Sequence, residues 1–199
     1  WKKEYASARA PRPRFVNARK ELMAPMTNSP VKHLHSLTTL LNRPPQAWAD
    51  LRGDVLHPDI YGIALFHQTP DGVIVAVDVS GLPSAQGACS GRFFAFHIHE
   101  GSACRGSATD PFSAAGSHFN PTGCPHPFHA GDLPPLLGCD GDALSVFLTN
   151  RFRVDEVVGR TVIIHDQPDD FTTQPAGNAG SRIACGVIER FTISQQPQF

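Results

Sequence analysis

Residues 61–68 and 73–79 are two short runs rich in β-branched and aromatic side chains, with Pro70-Asp71-Gly72 between them. Proline presets the backbone at the first corner of a turn and glycine is free to take positive φ, so the pair predicts a β-hairpin. Gly81-Leu82-Pro83 stops the second run. The β texture begins at Ala47, and further strands are predicted over 92–99, 143–148, 161–165 and 182–188. Short strands parted by Gly/Pro turns, with no convincing long helix, predict an all-β fold: an antiparallel Greek-key β-barrel or sandwich. Two intervals break the pattern. Residues 101–135 and 166–181 are long, rich in Gly, Pro and Ser, and carry most of the polar interest. They read as two long functional loops laid over a rigid barrel.

The N-terminal part is patterned differently. Leu34, Leu37, Leu40 and Leu41 are spaced for a short helix, on which His33 and His35 diverge and read as structural or exposed residues. Pro44-Pro45 ends that segment, which places a tail at 1–45 and the barrel domain at 46–199. Charge sharpens the division. Residues 1–22 hold seven Lys/Arg and two acids, which leaves ten basic and sixteen acidic side chains in 23–199. The basic stretch is expected to be a disordered leader, with Met23 or Met26 a natural start, rather than an arm for nucleic acid or anionic lipid. With 41% hydrophobic and 18% charged residues the chain has the composition of a globular domain. No apolar run reaches 18 residues, so no transmembrane helix and no membrane partner are expected. No export signal is visible, which points to the cytoplasm. Cys89, Cys104, Cys124, Cys139 and Cys185 are an odd number, permitting one or two bridges and at least one free thiol.

The chemistry is concentrated in the histidines. In Phe96-His97-Ile98-His99-Glu100 two imidazoles stand at i and i+2 on a strand, on one face and about 7 Å apart along the backbone. Such rings can converge on one ion, and an apolar strand has no structural use for both. His118, His126, His129 and His165 follow, with Asp132 close by, so six of ten histidines fall between positions 97 and 165. Imidazole with carboxylate is the donor set that zinc and copper select, and a two-metal site is the first hypothesis.

Taken in order, several segments resemble the copper–zinc superoxide dismutase family. They are Phe96-His97-Ile98-His99-Glu100, Gly116-Ser117-His118-Phe119-Asn120-Pro121, His129-Ala130-Gly131-Asp132-Leu133, Val158-Gly159-Arg160-Thr161-Val162-Ile163-Ile164-His165, Asp169-Asp170, and Gly177-Asn178-Ala179-Gly180-Ser181-Arg182-Ile183-Ala184-Cys185-Gly186. The resemblance implies copper on His97, His99, His118 and His165, and zinc on His118, His126, His129 and Asp132, with His118 bridging the two. It implies that Asp169 links a copper histidine to a zinc histidine, that Arg182 docks a small anion beside copper, and that Cys104 and Cys185 form a disulfide. Such a bridge would suit an oxidising compartment rather than the cytoplasm. The implied activity converts superoxide to dioxygen and hydrogen peroxide as copper alternates between Cu(II) and Cu(I), with His118 and Arg182 as the catalytic side chains. Family members occur as monomers and homodimers.

The chain departs from the pattern in two places. The interval from His118 to His129 is several residues shorter than the usual zinc loop, and 166–181 lacks the lysine and glutamates with which many members guide superoxide. Three alternatives stay open: a copper-binding or copper-donating protein without turnover, a copper-only dismutase, and a zinc hydrolase with Glu100 as base. The last is disfavoured because alternation turns Glu100 away from the His97 and His99 face. Cys124 is read as loop packing or a partner for Cys139 before it is read as a ligand.

Overall fold

The computed structural model of the chain describes residues 43–84 and 91–192. Most of the basic tail, the leucine-spaced segment with His33 and His35, and Cys89 lie outside these residues.

In chain order the strands are β1 (Ala47–Gly53), β2 (Tyr61–Thr69), β3 (Gly72–Ser80), β4 (Arg92–Phe94), β5 (Phe96–His99), β6 (Leu136–Gly138), β7 (Ala143–Thr149), β8 (Thr161–His165), β9 (Arg182–Val187) and β10 (Glu189–Arg190). One helical turn, α1 (Val154–Val157), separates β7 from β8. The expected β2–β3 hairpin forms, with Thr69 opposite Gly72 and Pro70-Asp71 as its loop.

Antiparallel pairing runs β5-β8-β9-β1-β2-β3-β7, and β4 pairs with β6. Two local features join these into a curled, all-β barrel. Asp140 and Gly141, both at positive φ, form the tight turn from β6 to β7, which Cys139 and Asp142 close with reciprocal backbone hydrogen bonds of 2.7 and 3.0 Å. On the other side β4 and β5 are halves of one stretch, split at Ala95. There the Ala95 N–H leaves the ladder for the Gln167 carbonyl (2.8 Å), while its own carbonyl accepts from His165 N–H (2.9 Å). The expected strand over 92–99 is therefore broken because its middle residue ties the 166–181 loop to the barrel.

Alternation fills the interior. Leu51 from β1, Phe66 from β2, Val73, Val75, Val77 and Val79 from β3, Phe94 from β4, Phe96 and Ile98 from β5 and Leu136 from β6 meet in one core. β5 and β8 are buried on both faces, with the barrel core on one side and loops on the other. That second, loop-covered face carries the site.

Cys104 in the loop after β5 and Cys185 on β9 form a disulfide across 81 positions of sequence, with Cα atoms 5.6 Å apart. The bridge holds a long loop to the sheet, so Cys104→Ala is expected to cost about 2–5 kcal/mol of stability, read by denaturant unfolding. Cys124 and Cys139 are free thiols, so the pairing left open between them is not made.

Candidate metal centre

Because Phe96 and Ile98 point into the core, alternation turns His97 and His99 to the outer face of β5. β8 runs antiparallel beside them, with Phe96 opposite Ile164. A β-bulge between Ile164 and His165 then skips one residue of β9, which makes His165 the cross-strand partner of Arg182. Along the other edge of β5, residues 117–119 lie antiparallel through Glu100 N–H to the Ser117 carbonyl and Phe119 N–H to the Ile98 carbonyl, both 2.8 Å. That pairing seats His118 opposite His99, and a bridge to His97 seats Asp132. His126 and His129 come from the loop between. All seven side chains are buried.

The outward contacts of the rings decide which nitrogen faces inward. His97 Nε2 lies 2.8 Å from Asp169 Oδ2, and His126 Nε2 lies 2.9 Å from Asp169 Oδ1. His99 Nδ1 is 2.9 Å from the Gly116 carbonyl, and His165 Nδ1 is 3.4 Å from the Gly180 carbonyl. Each contact requires an N–H on that nitrogen, leaving a lone pair on the other. The inward nitrogens His97 Nδ1, His118 Nε2 and His126 Nδ1 are buried and make no hydrogen bond. His126 Nδ1 does lie 3.0 Å from Asp132 Oδ2, but off the direction a hydrogen bond needs. His99 Nε2 and His165 Nε2 face each other at 3.3 Å, and His118 Nδ1 and His129 Nδ1 at 3.5 Å. Two ligands about 2.0–2.1 Å from a single ion stand about this far apart. Buried acceptors without donors are costly, and a cation between them removes the cost.

The inward atoms form two groups, His97, His99, His118, His165 and His118, His126, His129, Asp132, each within 4.8 Å. Either group could hold a metal ion. His118 belongs to both, with Nε2 toward the first and Nδ1 toward the second, 2.8 Å from Asp132 Oδ1. His126 is brought fully into its group. Gln174 holds its peptide at both ends, accepting from His126 N–H at 3.0 Å and donating to its carbonyl at 2.6 Å. This clasp spans 48 positions and has no local signature, so the sequence did not reveal it. Gly177 adds a steric reason: at φ 66°, a Cβ there would collide with the Asp169 carboxylate and the His126 ring. Cys124 belongs to neither group; Asn120 binds its backbone at both ends, and its Sγ lies 3.3 Å from Thr122 Oγ1.

Arg182 donates from Nη1 to the Phe112 carbonyl and from Nη2 to the Gly116 carbonyl, both at 2.8 Å, and Asp110 Oδ2 stands 3.5 Å from Nη1. Arg182 lines a cavity of about 710 Å³ together with His99, His118 and His165. Glu100 also reaches that wall and accepts from Ser117 N–H at 3.3 Å. Alternation therefore does not remove Glu100 from the cavity, because β5 has already ended at His99.

Burial dominates the proton affinities. It drives His165 down to about 3, aided by repulsion from His97, and drives His99 well below the ordinary imidazole value. His97 is lowered by the same desolvation, against the opposing hydrogen bond to Asp169. Burial would raise Asp169, but the His97 hydrogen bond, with those from Phe171 and His126, holds it at about 2. A folded pKa below the unfolded value of about 6.5 favours the folded state fully above that pH and progressively less below it. The metal-free protein is thus expected to lose stability as pH falls from about 6.5 to 3. The His165 contribution alone falls by up to about 1.4 kcal/mol per pH unit, measured by urea unfolding at stepped pH.

Comparison with known proteins agrees with this geometry. Residues 60–188 match the family model for copper/zinc superoxide dismutase. A superoxide dismutase [Cu-Zn] of Deinococcus radiodurans is 36% identical over 159 residues, covering 70% of this chain and 84% of the relative. A superoxide dismutase [Cu-Zn] 2 of Aquifex aeolicus is 36% identical over 146 residues, covering 65% and 80% respectively. Among solved structures, the Cu/Zn superoxide dismutase from Brucella abortus superposes with a TM-score of 0.61 at 26% identity, covering 72% of this chain and 99% of its own. With the matched region spanning every strand from β2 to β9, the chain belongs to the copper/zinc superoxide dismutase family.

Proposed function

We propose that the protein is a superoxide dismutase that holds copper on His97, His99, His118 and His165, and zinc on His118, His126, His129 and Asp132. The observation that carries this reading is the pair of four-ligand groups sharing one imidazole, with the outward nitrogens of His97, His99, His126 and His165 already occupied. The donor sets fit the two metals. Four imidazole nitrogens suit Cu(II), and three imidazoles with one carboxylate suit redox-inert zinc. When bound, copper supplies the one-electron cycle that turns one superoxide into dioxygen and the next into peroxide. The residues do the rest. His118 is held through Nδ1 on the zinc side, so its Nε2 can carry a proton and release it toward the cavity without the ring moving away. Asp169 keeps His97 and His126 in the tautomers that leave Nδ1 free.

Arg182 places a fixed positive charge on the cavity wall, with its fork anchored by two carbonyls, and so draws in and orients a singly charged anion. Arg182→Ala is expected to lower kcat/KM by about ten-fold or more and to flatten its dependence on ionic strength, with metal content unchanged. Pulse-radiolysis rates at several salt concentrations check this.

Homodimer formation belongs to the same proposal. Phe93, Leu137, Leu144, Val146 and Leu148 are exposed apolar residues on neighbouring strands β4, β6 and β7, as an interface requires. The test of function is metal content per chain after reconstitution, with turnover on the same sample. One copper and one zinc with rapid dismutation is expected. Copper with turnover but without zinc would make it a copper-only dismutase, and full copper without turnover would make it a copper carrier.

A further inference from the structure

Arg151 received no role from sequence or family, yet one of its nitrogens is the meeting point of the loop that carries His126, His129 and Asp132. Its Nη1 donates to the carbonyls of Pro127 (2.9 Å), Asp132 (3.0 Å) and His129 (3.2 Å). Two of those residues supply side chains to the proposed zinc group, and the third lies next to His126. The base of Arg151 is fixed. β7 ends at Thr149, Arg151 N–H lies 3.3 Å from Thr149 Oγ1, and the buried Phe152 follows immediately.

Arg151 adds to the other ties of this loop. The backbone is also held by turns at Pro125–Phe128 and His129–Asp132, by Asn120 at Cys124, by Gly131 to Phe119 and Ile98, by Leu133 to Phe96, and by Gln174 at His126. Of these, only the His129–Asp132 turn and the Gln174 clasp act directly on the backbone N–H or carbonyl of a proposed zinc ligand. Three carbonyls converging on one guanidinium nitrogen orient the peptides at Pro127, His129 and Asp132 together. Peptide orientation sets where the attached side chains point.

We infer that Arg151 is a positioning residue for the zinc side of the centre: by orienting the peptides at Pro127, His129 and Asp132 together, it sets zinc affinity without touching zinc. This rests on the zinc reading proposed above. The hydrogen bonds are charge-assisted, so they are stronger than neutral ones of the same length. Their acceptors are all on the loop that carries His126, His129 and Asp132, whereas His97, His99 and His165 stand on β5 and β8, so the effect is expected to fall first on the zinc side.

The test is zinc affinity by chelator competition on the copper–zinc protein, with copper content and the urea midpoint of the metal-free protein measured alongside. Arg151→Met keeps most of the stem and removes every donor. It is expected to weaken zinc binding by about 10–100-fold, the usual effect of losing a group that orients ligands. Copper content should be unchanged. Arg151→Lys, with three donors on one nitrogen, is expected to recover much of the loss. Zinc affinity within two-fold of wild type in Arg151→Met overturns the inference. So does a lowered urea midpoint with unchanged zinc affinity, which would leave Arg151 a merely structural role. Wild-type protein that takes up no zinc overturns the zinc reading itself, and that result is visible without either variant.

Discussion

Replacing His118 with alanine is expected to reduce dismutation to the rate of the spontaneous reaction and to lower occupancy by both metals in one step. No other side chain belongs to both ligand groups. Its loss leaves His97, His99 and His165 on one side and His126, His129 and Asp132 on the other, each group one donor short. A three-ligand site is not empty, so the variant separates two contributions. Residual copper without turnover would show that the proton held at Nε2 is indispensable, whereas loss of copper would show that the ligand itself is. Metal analysis and rates on one preparation decide between them. Retention of both metals with near-normal turnover would remove His118 from the mechanism.

The second large effect is expected at Asp169. This carboxylate touches neither group through an inward nitrogen, yet it receives His97 Nε2 on one oxygen and His126 Nε2 on the other, at 2.8 and 2.9 Å. Asp169→Ala leaves two buried N–H groups without acceptors and lets either ring adopt the other tautomer, with its lone pair outward. Metal affinity should fall by about 10–100-fold, as is usual when such an orienting partner is lost. The zinc side should suffer more, because His126 stands on a loop while His97 stands on a strand. Asp169→Asn keeps one acceptor and should fall between. Dialysis against a graded chelator series, followed by metal analysis, measures both. Equal retention by wild type and Asp169→Ala would show that packing alone orients the rings.

How much of this was legible in the sequence follows from how far apart the interacting residues stand. His97 and His99 were readable because strand alternation is a two-residue rule, and the β2–β3 hairpin because Pro70-Asp71-Gly72 states its own turn. His118, His129, Asp132, His165, Asp169 and Arg182 were placed by resemblance, each inside a short motif whose partner lay elsewhere, and His126 by resemblance from its place between two of them. The Cys104–Cys185 bridge, likewise implied only by resemblance, is formed. What the sequence did not disclose has no local spacing at all. Gln174 clasps His126 from 48 positions away, and Arg151 gathers carbonyls 19 to 24 positions upstream. The break at Ala95 was equally hidden, because a backbone bond to Gln167 leaves no trace in side-chain pattern. β1 was seen only as texture, since inward Ala47 and Ala49 weaken its strand propensity even as they permit close packing.

The uneven footing of the two groups has a thermodynamic consequence. Three of the four residues facing the proposed copper position stand on strands β5 and β8, whereas all four facing the proposed zinc position stand on loops. Copper therefore enters a site whose ordering entropy was already spent when the barrel formed. Zinc would add restraint mainly at His126 and His129, since His118 and Asp132 are already bridged to β5, and that share of its binding free energy becomes part of the folding free energy of the loop. Calorimetry would register the two events differently, one as ligand capture and the other as the last stage of folding.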